Sequence, residues 1–255
     1  MRRALCDSIP TKAGQTIELN EIETRHLVSV LRLRTDDPIL LLDGKGFQAN
    51  AKLLVKEKRA YAEVTSPPTS NAKLNALPIH LQMAIIKGDA MEWVIEKAVE
   101  LGVKSITPIE TEFTVVKVQK KGAEAFLERW QKIADQALKQ CGRLERMIIH
   151  SPLTFEESLL NQKSLIWLDE SLAETGEPDL HLAQVLKKNT ANEITLLVGP
   201  EGGFSASEKN RLLQLTSGAR QAITRVHLGS IILRAETAAL LGVSLLVSHT
   251  YGKTN

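Results

Sequence analysis

Two segments in the last quarter of the chain repeat one pattern, and the rest of the sequence is organised around them. In Ile194 to Glu208, ITLLVGPEGGFSASE, strand-type apolar residues (Ile194, Leu196, Leu197, Val198) stop at Gly199; Pro200, Glu201, Gly202 and Gly203 follow, and a helix begins at Ser205. In Val226 to Leu240, VHLGSIILRAETAAL, the apolar run breaks at Gly229, and Leu233, Arg234, Ala235, Glu236 and Thr237 lead into a helix, 238–247, that is apolar nearly all round. A helix without a polar face has to be covered on more than one side. Strand, glycine loop and helix start, twice over, predict two ligand-facing turns. Glycine there allows positive φ and lets a ligand approach the main chain without meeting a Cβ.

The ligand can be narrowed by chemistry. Neither the phosphate-loop pattern G-x-x-x-x-G-K-[ST] nor the dinucleotide pattern G-x-G-x-x-G is present in these turns. Pro200 removes an N–H from the first loop and Glu201 adds a carboxylate, so an anionic group is disfavoured by hydrogen bonding and by Coulomb sign. A neutral or cationic nucleoside fits better. Read alone, GPEGG serves equally well as a bare strand-to-helix turn; its echo in the second segment favours the ligand.

VGPEGGFSASE followed by LGSIILRAETAAL resembles the RsmE family of ribosomal RNA uridine methyltransferases, in the SPOUT superfamily of knotted, S-adenosylmethionine-dependent enzymes. The resemblance extends through RHLVSVLRLR (Arg25 to Arg34), KGDAMEWVIEKAVELGVKSITPIETE (Lys87 to Glu112) and QKIADQALKQCGR (Gln131 to Arg143). Departures fall at Ser230, where the family has Arg or Pro, and at Thr111, Glu112, Phe113 and Thr114, where it has an Arg-containing segment. The resemblance implies an α/β, SPOUT-type C-terminal domain with a deep trefoil knot made from the two glycine loops. It also implies a small PUA-like β-barrel before that domain. Connectivity rules alone predict an unknotted doubly wound sheet instead.

Length and composition agree with two folded domains. The 255 residues are 43% hydrophobic and 24% charged, with a net charge of +2. Residues 1–72 hold 11 Lys and Arg against 9 Asp and Glu, so any RNA surface must be a local patch rather than a bulk field. Cys6 and Cys141 lie far apart and the six histidines show no ligand spacing, so neither a disulfide nor a metal is expected. The lack of a signal peptide or an apolar run of ~18 residues predicts a soluble cytoplasmic protein.

Residues 1–70 read as short strands (14–19, 38–43, 47–55 and 59–65) with one inserted helix. That helix is capped at Asn20, with Glu23 at the N3 spacing. Arg2, Arg3, Arg25, Arg32 and Arg34 either line one side and meet phosphates or form a solvated charged face; the resemblance implies the first. SPPTSNAKLNALP, 66–78, reads as a linker, with the domain break near Asn71 and the second domain at 71–255. Beyond it a strand (79–86), a helix capped by Asp89, and a strand (103–109) form a βαβ unit. A long amphipathic helix follows and closes at Gly142, with Cys141 on its core face. Strands at 147–150 and 165–168 and a helix near 180–187 complete an open sheet.

The resemblance implies that the knotted loops hold S-adenosylmethionine. Gly199, Gly202 and Gly229 permit close approach, Pro200 and Glu201 share the first loop, and Leu168, Leu197, Leu228, Ile232 and Leu233 supply apolar walls. It implies methyl transfer to the N3 ring nitrogen of a uridine in small-subunit (16S) ribosomal RNA, assembled or assembling. Arg234 is the candidate for stabilising the uridine anion, because a guanidinium holds both a carbonyl oxygen and the developing charge. Glu201 or Glu236 takes the proton, or Glu236 simply serves as a first-turn acid. Lys87 and Arg143 contact phosphate or are plain surface charges. The final helix predicts a homodimer. A related enzyme acting on ribose 2′-hydroxyls or on transfer RNA, and a non-catalytic RNA-binding protein, are the alternatives.

Overall fold

The structure is a computed structural model that describes residues 2–70, 77–118, 122–160, 164–173, 178–188, 190–216 and 223–253. The expected domain break at Asn71 lies outside the described residues. The chain packs as two units, one of Met1–Leu74 with Asp135–Arg146 and the other of Asn75–Ala134 with Met147–Asn255.

The first unit is a six-stranded sheet of β1 (Arg2–Leu5), β2 (Thr16–Glu18), β3 (Pro38–Leu42), β4 (Phe47–Lys56), β5 (Arg59–Val64) and β6 (Thr69–Ser70). Its order is β1-β3-β4-β5-β2, with β6 on β4; β1 and β3 are parallel and the other pairs antiparallel. Ala60, Ala62 and Val64 alternate inward along β5, with Ile39, Leu41 and Leu53 among their buried core partners. The inserted helix is α1 (Glu21–Thr24), prolonged by a π-helical stretch, Arg25–Val30. Asn20 caps it as expected, accepting from the N–H of Glu23, but the Glu23 carboxylate turns away to Lys139 at 2.5 Å. Both side chains of that pair are nearly dry, 4% and 12% exposed.

Lys139 belongs to a long helix, α3 (Ala123–Cys141), whose end closes this unit. Arg3 donates to the carbonyls of Lys139 and Gln140 at 2.7 and 3.1 Å, satisfying oxygens that a helix C-terminus leaves unpaired. Gly142 then takes φ +78°, and a Cβ there would stand 2.8 Å from the Arg3 guanidinium. Arg146 grips Asp135 with two bonds of 3.0 and 3.1 Å.

The second unit holds β7 (Ile79–Ala84), α2 (Gly88–Glu100), β8 (Ser105–Glu110), α3 (Ala123–Cys141) in its first part, β9 (Ile148–Ile149), β10 (Leu153–Thr154) and α4 (Phe155–Ser158). It continues through β11 (Leu165–Leu168), α5 (Leu182–Lys188), β12 (Ile194–Val198), α6 (Ala206–Thr216), β13 (Ile223–Val226) and α7 (Ala235–Lys253). All seven strands are parallel, in the order β10-β8-β7-β12-β11-β13 with β9 also on β8. Parallel sheets are covered on both faces, and accordingly all four residues of β11 are buried. The α7 helix packs on β7, β12 and α2. Gly242 permits this, since a Cβ there would lie 2.8 Å from the Leu196 side chain.

Three expectations are corrected. Asp89 is not the cap of α2: the N-cap residue is Lys87 and Asp89 sits in the first turn, where its charge favours the helix N-terminus. Cys141 is exposed rather than in the core, because the buried stripe of α3 runs through Trp130, Ala134, Ala137 and Leu138 and ends a residue-turn short of it. The last helix starts at Ala235 and runs to Lys253, longer than its apolar run.

Candidate active site

Because β11, β12 and β13 are adjacent and parallel, the segments that leave their carboxyl ends converge at one edge of the sheet. Such a crevice is where open α/β sheets bind ligands. A cleft of about 630 Å³, open mouth included, lies there. Leu168, Asp169 and Glu170 line it from the first strand, Val198 to Glu201 and Gly203 from the second, and His227 to Gly229 with Ile231 to Leu233 from the third.

Each lip is held in place. After β11, the Asp169 side chain is fully buried; its Oδ2 accepts from Arg225 Nε at 2.5 Å and its Oδ1 from the N–H and hydroxyl of Ser171. The Arg225 guanidinium also lies 5.5 Å over the Trp167 ring, a cation–π contact that ties β13 to β11.

After β12, the N–H of Gly203 bonds the carbonyl of Pro200 at 2.9 Å, closing a turn whose last residue has φ +70°. A Cβ on Gly203 would stand 2.6 Å from Glu170 Oε1, which itself pairs with Lys209 at 2.7 Å. Ser205 and Glu208 then cap α6 reciprocally, with Glu208 Oε2 accepting from Ser205 N–H and Ser205 Oγ from Glu208 N–H. The other oxygen of this buried carboxylate accepts the N–H of Glu112 at 2.9 Å.

After β13, His227 forms a bridge with His181, and its ring stands edge-on to the His181 ring at 5.3 Å. Its Nδ1 accepts the N–H of Gly229 at 3.2 Å, bending the loop at a residue whose φ of +144° only glycine adopts freely.

Of the residues expected to hold the cofactor, Leu168, Gly199, Pro200, Glu201, Leu228, Gly229, Ile232 and Leu233 come together in the cleft wall. Leu197 and Gly202 do not. Leu197 faces the opposite way, into a core with Trp167 and Phe204, since neighbours along a strand alternate. Gly202 points outward at Phe113, whose Cβ would lie 3.5 Å from a Cβ at 202. Arg234 is exposed on the loop just past the lining Leu233, and Glu236 is half-buried in the first turn of α7. Glu201 is exposed, and its Oε1 accepts the N–H of Lys87 at 3.2 Å.

Among the residues expected to meet RNA, Arg2, Arg25, Arg32 and Lys87 are exposed. Arg3 is spent on the α3 carbonyls, and burial lowers the pKa of the half-buried Arg143, so neither is a plain surface charge. Sequence reasoning missed Asp169, Glu170, His227 and Glu208. A signal existed for Asp169: it breaks the apolar run LIWL as Gly199 breaks ITLLV.

Among the described residues, the charged ones of the wall are Asp169, Glu170 and Glu201, and no Lys or Arg lines it. With apolar sides and glycine-exposed main chain, this wall suits an uncharged ring and a positive centre rather than a phosphate.

Comparison with known proteins agrees with that geometry. The model of an RNA methyltransferase domain matches residues 73–247, and that of an RNA methyltransferase PUA domain matches residues 19–65. Ribosomal RNA small subunit methyltransferase E of Bacillus subtilis is 29% identical over 92% of this chain and 91% of its own, and that of Rickettsia conorii 30% identical over 91% of both. The Neisseria gonorrhoeae ribosomal RNA small subunit methyltransferase E, solved bound to S-adenosyl methionine, is 31% identical over 97% of both chains with a TM-score of 0.80. A Legionella pneumophila methyltransferase solved with bound SAM gives a TM-score of 0.82 at 29% identity over 96% of both chains. Fold and matches define the class as RNA methyltransferases with a PUA domain. Within that class, this chain belongs to the ribosomal RNA small subunit methyltransferase E family.

Proposed function

We propose that the chain methylates the N3 atom of one uridine in 16S ribosomal RNA, with S-adenosylmethionine held in the cleft. The observation that carries this is the wall itself: glycine main chain from two loops, apolar sides, and, among the described residues, carboxylates but no Lys or Arg. Bound there, S-adenosylmethionine supplies a methyl group made electrophilic by the positive sulfonium. The backbone beside Gly199 and Gly229 meets the nucleoside, Leu168, Leu228, Ile232 and Leu233 exclude water from it, and Glu201 offsets the positive charge, since Asp169 and Glu170 already pair with Arg225 and Lys209.

Uridine N3 becomes nucleophilic only after losing its proton. Arg234, exposed just past the lining Leu233, holds a uracil carbonyl and the charge that develops on the ring. Glu201, exposed on the wall, accepts the proton, while Glu236 serves α7 as a first-turn acid.

In the same reading, residues 1–70 form a PUA-like barrel that engages RNA through Arg2, Arg25 and Arg32, residues 71–255 form the catalytic domain, and the two glycine loops lie in a deep trefoil knot. Two copies pair through α7, whose exposed stripe holds Thr237, Leu241 and Ser248. The protein acts in the cytoplasm, on RNA in the assembled or assembling subunit.

The test is nucleoside mass spectrometry of small subunits from cells lacking the gene, before and after treatment with the protein and S-adenosylmethionine. N3-methyluridine appearing at one site is the expected result. A ribose-methylated nucleoside, or methylation of transfer RNA alone, would overturn it.

A further inference from the structure

Just outside the cleft, the turn Thr111–Thr114 presents Phe113 to solvent, 48% exposed. Exposed phenylalanines are common enough to need no explanation when the backbone beneath them is loose. This one is not loose. Thr114 N–H bonds the Thr111 carbonyl at 3.2 Å, Thr114 Oγ1 accepts the N–H of Thr111 at 3.0 Å, and both threonines are buried. Lys117 Nζ adds a bond to the Thr111 carbonyl at 2.7 Å. The N–H of Glu112 is held by the buried Glu208 carboxylate, which also caps α6. Four bonds therefore fix a two-residue turn whose outer side chain is an aromatic ring.

The ring rests on the glycine loop. A Cβ at Gly202 would meet Phe113 Cβ at 3.5 Å and the ring Cδ2 at 3.6 Å, and Gly202 stands between the cleft-lining Glu201 and Gly203. The free face of the ring is thus one residue away from the wall. Of the nearby charges, the Lys117 ammonium is half-buried and turned to the Thr111 carbonyl, while Glu112 and Glu201 are exposed carboxylates, which repel phosphate but not an uncharged base.

We propose that Phe113 is a positioning residue on which a nucleobase of the substrate RNA stacks as the target uridine enters the cleft. The inference rests on the function proposed above and adds the chemistry of recognition: a π-face rather than a phosphate contact. Base–aromatic stacking is sequence-tolerant and substantial, and a ring already fixed by its turn loses little freedom on binding.

The experiment measures KM for small-subunit RNA, kcat, and cofactor affinity by calorimetry in the full chain with Phe113→Ala, Phe113→Leu and Phe113→Tyr. Stacking predicts that Phe113→Ala raises KM for RNA about ten-fold or more, with kcat at saturation and cofactor affinity near those of the parent. Phe113→Tyr keeps the parent KM, and Phe113→Leu, apolar but without a ring, behaves like Phe113→Ala. A KM within about two-fold for Phe113→Ala, or full rescue by Phe113→Leu, overturns the proposal. An unsubstituted protein that binds S-adenosylmethionine yet methylates no small-subunit RNA overturns the proposed function, and this inference with it.

Discussion

Glu201 Oε1 accepts the backbone N–H of Lys87 at 3.2 Å, so a residue of the cleft wall also holds the N-cap residue of α2. A cleft-wall loop that anchors a helix start cannot shift without disturbing it. The anchoring contact of Glu201 and its proposed role as base separate by substitution. Glu201→Gln keeps an acceptor for Lys87 and loses the base, so Tm stays while turnover falls ~10²–10⁴. Glu201→Ala loses both, with about 1 kcal/mol of stability besides. Equal turnover in the Gln variant and the parent would assign proton removal elsewhere.

For Arg234, single-turnover methylation at saturating enzyme is the measurement. Both Arg234→Lys, which keeps charge without the planar fork, and Arg234→Ala should lose ~10²–10³ in rate with little change in affinity. Should the deficit instead disappear at saturation and grow with salt, Arg234 grips a phosphate.

The two glycine-loop motifs are legible in the sequence because glycine breaks an apolar strand run only where the backbone needs unusual geometry. Hence Gly199 and Gly229 were found, and with them most of the cleft wall. The orientation of Gly202 was not legible: three glycine positions in GPEGG look alike in one dimension, and only the Pro200–Gly203 turn decides which way each faces. Asp89 was misassigned as a cap because the true cap contact on Lys87 comes from Glu201, distant in sequence. Long-range bonds such as Glu208 to Glu112 leave no periodic signal at all.

Gly202 and Gly229 accordingly should differ. Gly202→Ala meets only ordinary contact with Phe113 and should leave S-adenosylmethionine affinity unchanged. Gly229→Ala forces φ +144° on a residue with a Cβ, a strain of ~1–3 kcal/mol, and should weaken cofactor binding in calorimetric titration.

Glu208→Ala strands two backbone donors, the N–H groups of Glu112 and Ser205. The buried Ser205 donor left unsatisfied costs about 1–3 kcal/mol and the part-buried Glu112 donor less, so the urea midpoint should drop at an unchanged m value. A midpoint equal to the parent's would mean that water replaces the carboxylate.

Burial raises the Cys6 thiol to about 11, with Asp43 and Asp7 adding to the effect, whereas Cys141 is exposed. In the native protein at mildly alkaline pH, an alkylating reagent should modify Cys141 and spare Cys6, as peptide mass mapping would reveal. The unfolded thiol ionises near its ordinary value of 9.0 while the folded one stays protonated. The Cys6 contribution to stability is therefore full below that pH and is lost as pH rises toward about 11.

The last turn of α3 completes the first unit from far along the chain. Residues 1–74 made alone would lack the Lys139 partner of Glu23 and the helix carbonyls to which Arg3 donates. The N-terminal module is therefore not a portable cassette. Gene fusions or truncations that cut at the linker would inherit an unfinished fold, and swapping this module between relatives would require exchanging 135–146 along with it.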